Sequence, residues 1–228
     1  MCSEAWDETA LKIEGAWRLP GAGAGALPEL QCLSEKLPQE RAGIRLSGEE
    51  SLRPLLAADG PIGGVAARAL GASCQPVRAI MFDKTRDANW SLGWHQDRTI
   101  CVRERIDVQG FGPWTVKQGL VHVAPPFELI ARMVTLRVHL DDVPDDNAPL
   151  LIAPGSHLFG HVPEPMISEI VGRCGVRTCT AVKGDIWIYA TPILHASGAA
   201  MASDHRRRVL QVDYSRDALP GALQWLGI

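Results

Sequence analysis

Gly93-Trp94-His95-Gln96-Asp97 is the stretch on which the reading of this chain turns, and its answer lies far downstream in Ile193-Leu194-His195-Ala196-Ser197. Residues i and i+2 of an extended strand point to the same side. His95 and Asp97 therefore offer an imidazole and a carboxylate to one point in space. A third ligand to that point must come from another strand, and His195 supplies it. Two histidines and one carboxylate on one face, with the opposite positions open, form the facial triad that holds non-haem Fe(II). H-x-D alone is a weak signal, and a bland reading is two loop residues plus a core histidine. The surroundings of His195 decide against it. Gly184-Asp185-Ile186-Trp187-Ile188-Tyr189 reads as a turn and then a strand before it, and Arg206-Arg207-Arg208 opens a strand-like run, Val209-Leu210-Gln211-Val212, after it. An arginine one strand beyond the third ligand suits a 2-oxo acid, whose far carboxylate a guanidinium fork grips in bidentate fashion.

Outward from these pieces the pattern stays β. Val77–Phe82 is strand-like. Met133–Leu140 alternates, with Thr135, Arg137 and His139 on one face and Val134, Leu136, Val138 and Leu140 on the other. Leu150-Leu151-Ile152 reads as a short buried strand, Ile186–Tyr189 as another, and Arg207–Tyr214 as the last. This rhythm favours a jelly roll over an immunoglobulin-type sandwich. The segment from Pro163 to Val171 reads as a bridging helix or turn. The first third is mixed: a helix is expected over Leu27–Leu37, a capped helix start at Ser47-Gly48-Glu49-Glu50, a short helix broken by Gly63-Gly64 within Gly60–Gly71, and a flexible loop at Gly21–Gly25. One domain is expected over 1–228, with a partly helical N-terminal support (1–74), a jelly-roll core (75–216) and a tail (217–228). The apolar tail, Leu219 to Leu226, is suited to dock on the core or on a second subunit, which allows a homodimer.

The formal net charge of −3 gives no electrostatic case for nucleic acid. No apolar run approaches a membrane span, and Met1–Asp7 lacks the basic and apolar regions of a signal peptide. The six cysteines lack C-x-x-C spacing, so free thiols in a reducing cytoplasm are expected rather than disulfides or zinc. The expected partner is a small molecule.

Trp94-His95-Gln96-Asp97, Leu140-Asp141-Asp142 leading through Asn147 to Ala153-Pro154-Gly155-Ser156-His157, Gly184-Asp185-Ile186, His195-Ala196-Ser197 and the arginine cluster running to Tyr214 occur in one order. In that order they resemble the phytanoyl-CoA dioxygenase family of Fe(II)/2-oxoglutarate oxygenases, over roughly residues 75 to 216. The resemblance implies a mainly β double-stranded β-helix (jelly roll, cupin-like) with flanking, mostly N-terminal helices. It implies Fe(II), 2-oxoglutarate and O₂ as cofactor and co-substrates, with succinate and CO₂ released. Asp97 occupies the place that a halogenase of this superfamily leaves without a carboxylate, which favours hydroxylation of an unactivated carbon or a related oxidation.

For the site, the resemblance implies His95, Asp97 and His195 as metal ligands and catalytic centre. Counting forward from His195 places the co-substrate arginine at Arg206; counting back from Tyr214 places it at Arg207, the preferred register because strand pairing is more tightly specified than loop length. Ser197 resembles the family's hydroxyl contact to the same carboxylate, and Ile80 is placed among the co-substrate contacts. Arg137 falls where many relatives carry a tryptophan. It is open as a co-substrate ligand, a substrate anchor or an ion pair with a buried acid such as Asp213. Arg98 to Lys117 is basic and holds Gly110 and Gly112, so it reads either as a lid over the site or as an ordinary exposed loop. Arg98, Trp114, Lys117 and Gln118 are the substrate candidates, and they suggest an anionic substrate. His139 is expected to hydrogen-bond near the site, His157 to be a turn residue, and Asp141 and Asp142 to cap loops. Trp187 and Tyr189 read as core. Two other uses remain open: a non-catalytic jelly-roll binding or sensing protein, and a cupin-like metalloenzyme that does not use 2-oxoglutarate.

Overall fold

The computed structural model describes residues 6–38, 41, 43–84, 90–199 and 206–228. Cys2, part of the polar loop before His95 and the loop 200–205 lie outside the described residues.

Three antiparallel sheets carry the fold. The first contains β1 (Ala16–Leu19), β2 (Gly43–Leu46), β3 (Gln75–Lys84), β8 (Val134–His139), β11 (Ile186–Ala190) and β13 (Arg207–Ser215), in the spatial order β1-β11-β8-β13-β3-β2. The second contains β4 (Leu92–His95), β9 (Leu150–Ile152), β10 (Arg177–Cys179) and β12 (His195–Ser197), in the order β10-β9-β12-β4. The third, β5 (Ile100–Val102), β6 (Trp114–Lys117) and β7 (Leu120–Val123), is ordered β5-β7-β6. The first two enclose a shared interior and form the expected jelly roll, but they stay separate sheets rather than closing into a barrel.

Alternation along the strands sorts the chemistry. On β13, Leu210, Val212 and Tyr214 face outward, and with Leu136 and Val138 of β8 they form a core against α2 (Leu27–Lys36), α3 (Arg53–Leu56) and α4 (Gly63–Leu70). Truncating one of these leucines to alanine would cost about 2–5 kcal/mol. The alternate residues, Arg207, Gln211 and Asp213, face inward with Arg137 of β8 and with Arg78, Ile80 and Lys84 of β3. The register places Arg207 opposite Lys84, and Gln211 opposite both Ile80 and Arg137.

The N-terminal third differs from its sequence reading in four places. Strands β1 and β2, which the reading did not place, extend the two edges of the large sheet within this mixed third. Ser47 caps no helix: a 3₁₀ turn over Glu50–Leu52 leads into α3 without a side-chain cap. Gly63 does not break a helix but begins α4, because a Cβ there would lie 2.0 Å from the carbonyl oxygen of Ala57. The stretch Gly21–Gly25 is held rather than loose, since the Gly21 N–H donates to Asp185 Oδ1 (2.9 Å) and the Gly23 N–H to the Gly184 carbonyl (2.8 Å).

The Pro-Gly-Ser-His turn has a structural use. Gly155 takes φ of 77° and donates its N–H to the Glu14 carbonyl at 2.8 Å. His157 Nε2 donates to the Lys12 carbonyl at 3.1 Å, and its ring lies against Gly15, where a Cβ would collide. This fixes α1 (Glu8–Glu14), whose first turn Asp7 caps through the Ala10 N–H. Asp141 pairs with Arg208, and Asp142 accepts from the Lys183 N–H. After Pro163 come a 3₁₀ turn, Glu164–Met166, and α6 (Ile167–Cys174).

The basic segment after Asp97 is not a free lid. It contributes β5 and β6 to the third sheet, which packs on α5 (Phe127–Ala131) and on the tail: Val102 bridges Trp225, and Leu226 donates its N–H to the Cys101 carbonyl. The tail therefore docks on its own chain. Cys32, Cys74, Cys101, Cys174 and Cys179 are free thiols. No helix among the described residues is long and apolar enough to cross a membrane.

Candidate active site

Strands β4 and β12 lie side by side, with His95 opposite His195. The two rings sit 4.2 Å apart between centroids, tilted by 57°. Asp97, just past the end of β4, completes a cluster in which one ligand atom from each residue lies within 4.8 Å of the others. The protonation state favours a cation. His95 Nδ1 contacts the Gly93 carbonyl at 2.7 Å, and His195 Nδ1 contacts the Ile193 carbonyl at 2.9 Å. A carbonyl oxygen only accepts, so each Nδ1 carries a proton, which leaves Nε2 as the ring atom available to a cation. Burial pushes the His195 pKa down to about 4, which keeps it neutral near pH 7. Burial would raise the Asp97 carboxyl, but Arg78, then His195 and His95, hold it below its usual value. One carboxylate beside two imidazoles is the donor set that suits Fe(II), and the residues fit the metal.

Arg78 is the largest omission of the sequence reading. It is buried on β3, donates from Nε to Asp213 Oδ2 at 2.5 Å and from a terminal nitrogen to Asp97 Oδ2 at 3.2 Å. Asp213 also accepts from Thr135 Oγ1 at 3.0 Å. Asp213 is therefore the partner of Arg78 and not of Arg137. The signal was present: β3 alternates, and Arg78 lies on the same face as Ile80 and Lys84. Gln96, between the two ligands, points the other way. It donates to the Gly160 (3.0 Å) and Pro192 (2.9 Å) carbonyls and accepts from the Val162 N–H (2.8 Å), tying the neighbouring loops to β4.

A cavity of about 400 Å³ runs from this cluster into the jelly roll. Of the co-substrate candidates, Arg207, Ser197, Arg137 and Ile80 line it, together with Lys84, which the sequence reading passed over. Arg206 does not; it faces away and pairs with Asp83 at 2.6 Å. Arg207 donates to the Ala148 carbonyl and to Ser197 Oγ. Lys84 donates to the Trp90 and Gly198 carbonyls (2.7 Å each) and to Ser197 Oγ (3.2 Å). Burial, then Arg207 and Arg137, pull the Lys84 pKa down to about 7, and burial and Arg137 pull Arg207 down to about 9. His139 is buried beyond the cavity lining, with Nδ1 unpartnered among the described residues. Burial, then Arg137 and Arg207, hold it neutral.

Of the substrate candidates, Arg98 and Lys117 line the cavity near Asp97, with Arg45 beside them. Arg98 is turned toward the Val162 carbonyl at 2.6 Å and Glu164 at 3.6 Å. Trp114 is not in the lining: it packs in the core of the third sheet with Arg105 stacked 5.6 Å over its ring. Gln118 is also outside the lining. Its side chain staples the β6–β7 turn to β2 through the Arg45 N–H (3.2 Å) and the Gly43 carbonyl (2.9 Å). Trp187 and Tyr189 are core residues, with Tyr189 close to His195 at 5.9 Å between ring centroids.

The family model described as phytanoyl-CoA dioxygenase matches residues 56–209, a span that includes every residue of this centre except Arg45 and the inward positions of β13 beyond Val209. The chain belongs to the phytanoyl-CoA dioxygenase family. Membership makes it an oxidoreductase of the non-haem iron, 2-oxoglutarate-dependent oxygenase type, with O₂ as the oxidant. Solved structures share the fold. The non-haem α-ketoglutarate-dependent epimerase SnoN from nogalamycin biosynthesis is 19% identical, with a TM-score of 0.66, covering 94% of this chain and 86% of that one. EctD from S. alaskensis is 17% identical, with a TM-score of 0.65, covering 91% and 75%. HygX from Streptomyces hygroscopicus, crystallised with nickel and 2-oxoglutarate, is 14% identical, with a TM-score of 0.61, covering 92% and 87%. A comparison with curated protein sequences returned no significant match.

Proposed function

We propose that this phytanoyl-CoA dioxygenase family member oxidises, by hydroxylation, an unactivated carbon of a small anionic molecule. The observation that carries the reading is one cavity lined by the two-histidine, one-carboxylate cluster and by the buried cations Lys84, Arg137 and Arg207. In this reading His95, Asp97 and His195 hold Fe(II). Arg207 and Ser197, with Lys84 on the same hydroxyl, take the distal carboxylate of 2-oxoglutarate. Bound iron supplies the activation of O₂ that couples decarboxylation of 2-oxoglutarate, to succinate and CO₂, with oxidation of the substrate.

The chain's own residues set the geometry. Arg78 bridges Asp97 to Asp213, so the ligand carboxylate is oriented from behind by a buried guanidinium. Gln96 holds the loops beside β4. Arg45 and Lys117 line the metal end and are not ion-paired with any acid among the described residues, which favours a substrate with a carboxylate, phosphate or sulfonate group. SnoN has been crystallised with Fe³⁺, α-ketoglutarate and nogalamycin RO, and HygX with hygromycin B. This shared fold thus accepts small molecules, while an epimerase and a carbocyclase among its holders mean the scaffold alone does not set the outcome.

The test is an anaerobic titration with Fe(II) and then 2-oxoglutarate, following the visible charge-transfer band of the chelate. A band that forms in the native protein and is lost in Arg207→Ala at matched 2-oxoglutarate supports the reading. Iron binding without a band assigns the cavity to a binding protein or to a metalloenzyme that does not use 2-oxoglutarate. For the substrate, Arg45→Ala and Lys117→Ala should raise KM for an anionic substrate far more than they change uncoupled 2-oxoglutarate turnover.

A further inference from the structure

The cavity holds more positive charge than its co-substrate can neutralise. Lys84, Arg137 and Arg207 are 3%, 5% and 2% exposed. None is ion-paired with an acid among the described residues. The other two buried arginines behave differently: Arg78 holds Asp97 and Asp213, and Arg208 holds Asp141. A buried charge without a partner costs several kcal/mol, so it is retained where a ligand completes it. The three N–H groups of Lys84 are already directed at three oxygens. The free donors belong to the arginines, since Arg137 Nε and Arg207 Nε are buried without partners.

Arg137 is set apart from the other two. It lies opposite Gln211, four residues along β13 from Arg207, and donates to Gln211 Oε1 at 2.9 Å. The same oxygen accepts from the Tyr189 hydroxyl at 3.4 Å, and the Tyr189 ring neighbours His195. The Arg137 guanidinium lies 5.4 Å over the Phe82 ring, and its charge acts on both His195 and Arg207. Of the two carboxylates of 2-oxoglutarate, one belongs to the metal end and one to Arg207, so none is left for this position.

We propose that Arg137 forms a second anion subsite within the co-substrate slot, so that the slot binds tricarboxylates, acids with one carboxylate more than 2-oxoglutarate, in preference to dicarboxylates. This rests on the co-substrate reading of the cavity. A carboxylate branching from the middle of the chain meets the Arg137 guanidinium while the terminal carboxylates reach the metal end and Arg207. Such an acid competes with 2-oxoglutarate, and the activity then responds to the level of tricarboxylates.

The experiment uses the full chain, loaded anaerobically with Fe(II) and 2-oxoglutarate. Tricarballylate and glutarate are titrated in, and loss of the charge-transfer band is followed. The expected result is displacement by tricarballylate at about one-tenth of the glutarate concentration or less, as one added charge-assisted pair allows. Arg137→Leu should close that gap, and Arg137→Lys should keep part of it. Equal displacement by the two acids in the native protein overturns the proposal. So does a gap that persists in Arg137→Leu, which would trace it to removal of iron into solution. If no band forms, the co-substrate reading has failed separately, and calorimetric titration of the iron-loaded protein with tricarballylate decides. Binding that weakens tenfold in Arg137→Leu upholds the subsite, and no binding overturns it.

Discussion

The two ends of the cavity solve the problem of buried charge in opposite ways. At the metal end Arg78 is bracketed by Asp97 and Asp213, and Thr135 satisfies a further oxygen of Asp213. At the deep end Lys84, Arg137 and Arg207 share no acid among the described residues; burial, then Arg207 and Arg137, lower the Lys84 pKa, and burial, then Arg137, lower that of Arg207. A balanced cluster is part of the fold and exists before any ligand arrives. An unbalanced one is incomplete without an anion. Under the proposed function, the difference separates residues that orient the metal ligands from residues that receive the co-substrate.

The largest effect should come from the ligand set. His95→Ala should lower metal affinity by roughly a hundredfold or more, since even residues that only support metal ligands are worth about 10–100-fold. Succinate formation should fall with it. The His95 ring is half-exposed and makes one backbone contact, so the melting temperature of the metal-free protein should hold. Metal-binding calorimetry and 2-oxoglutarate turnover check both, and native iron affinity with full turnover would remove His95 from the centre.

Arg78→Leu should break the balanced end. It leaves Asp213 and Asp97 facing each other without their shared cation, at a cost of about 3–5 kcal/mol in unfolding free energy. Arg207→Leu should do the reverse: relief of repulsion leaves stability unchanged or improved, while 2-oxoglutarate binding weakens by about 1.5–3 kcal/mol. Chemical denaturation beside ligand titration separates the two. Equal destabilisation by both substitutions would mean that the deep end is neutralised after all.

This contrast also explains what could be seen in the sequence. The convergence of His95, Asp97 and His195 was legible because period-2 alternation and a downstream histidine require only local geometry. Arg207 was favoured over Arg206 by strand register alone, and the structure places Arg207 in the cavity and Arg206 on Asp83. Arg78 and Lys84, both on β3, escaped because their partners lie far away in sequence: Asp213 is 135 residues from Arg78, and Ser197 is 113 residues from Lys84. Trp114 and Gln118 were misplaced for a related reason. The segment after Asp97 reads in sequence as a lid or an exposed loop, although it pairs into a sheet whose partner strand and docking tail lie outside it. Alternation shows which residues share a face; only pairing shows what that face meets.

The smallest effect is the one that tests the unbalanced end most directly. Lys84 titrates near 7 in the folded protein, because burial and then Arg207 and Arg137 disfavour its charge. An unfolded lysine titrates near 10.4. Between those values the unfolded chain holds a proton that the folded chain lacks, so stability rises with pH. Below about pH 7 both states are charged, and the full penalty of burying the charge remains. Arg207 adds a similar slope only above about 9. From pH 7 to 9 Lys84 contributes a rise, to which the lowered Lys117 adds and which the raised thiols of Cys74, Cys101 and Cys179 oppose toward pH 9, so Lys84→Met should reduce the rise. Bound 2-oxoglutarate inverts the preference: a carboxylate beside Lys84 favours the charged form, so binding takes up a proton and weakens as pH rises above 7. Thermal melts between pH 6.5 and 9, with and without 2-oxoglutarate, should show a ligand-induced shift that shrinks by a few degrees across that range. In Lys84→Met the shift should be smaller and level, and a native shift that does not change with pH would mean that the anion never reaches Lys84.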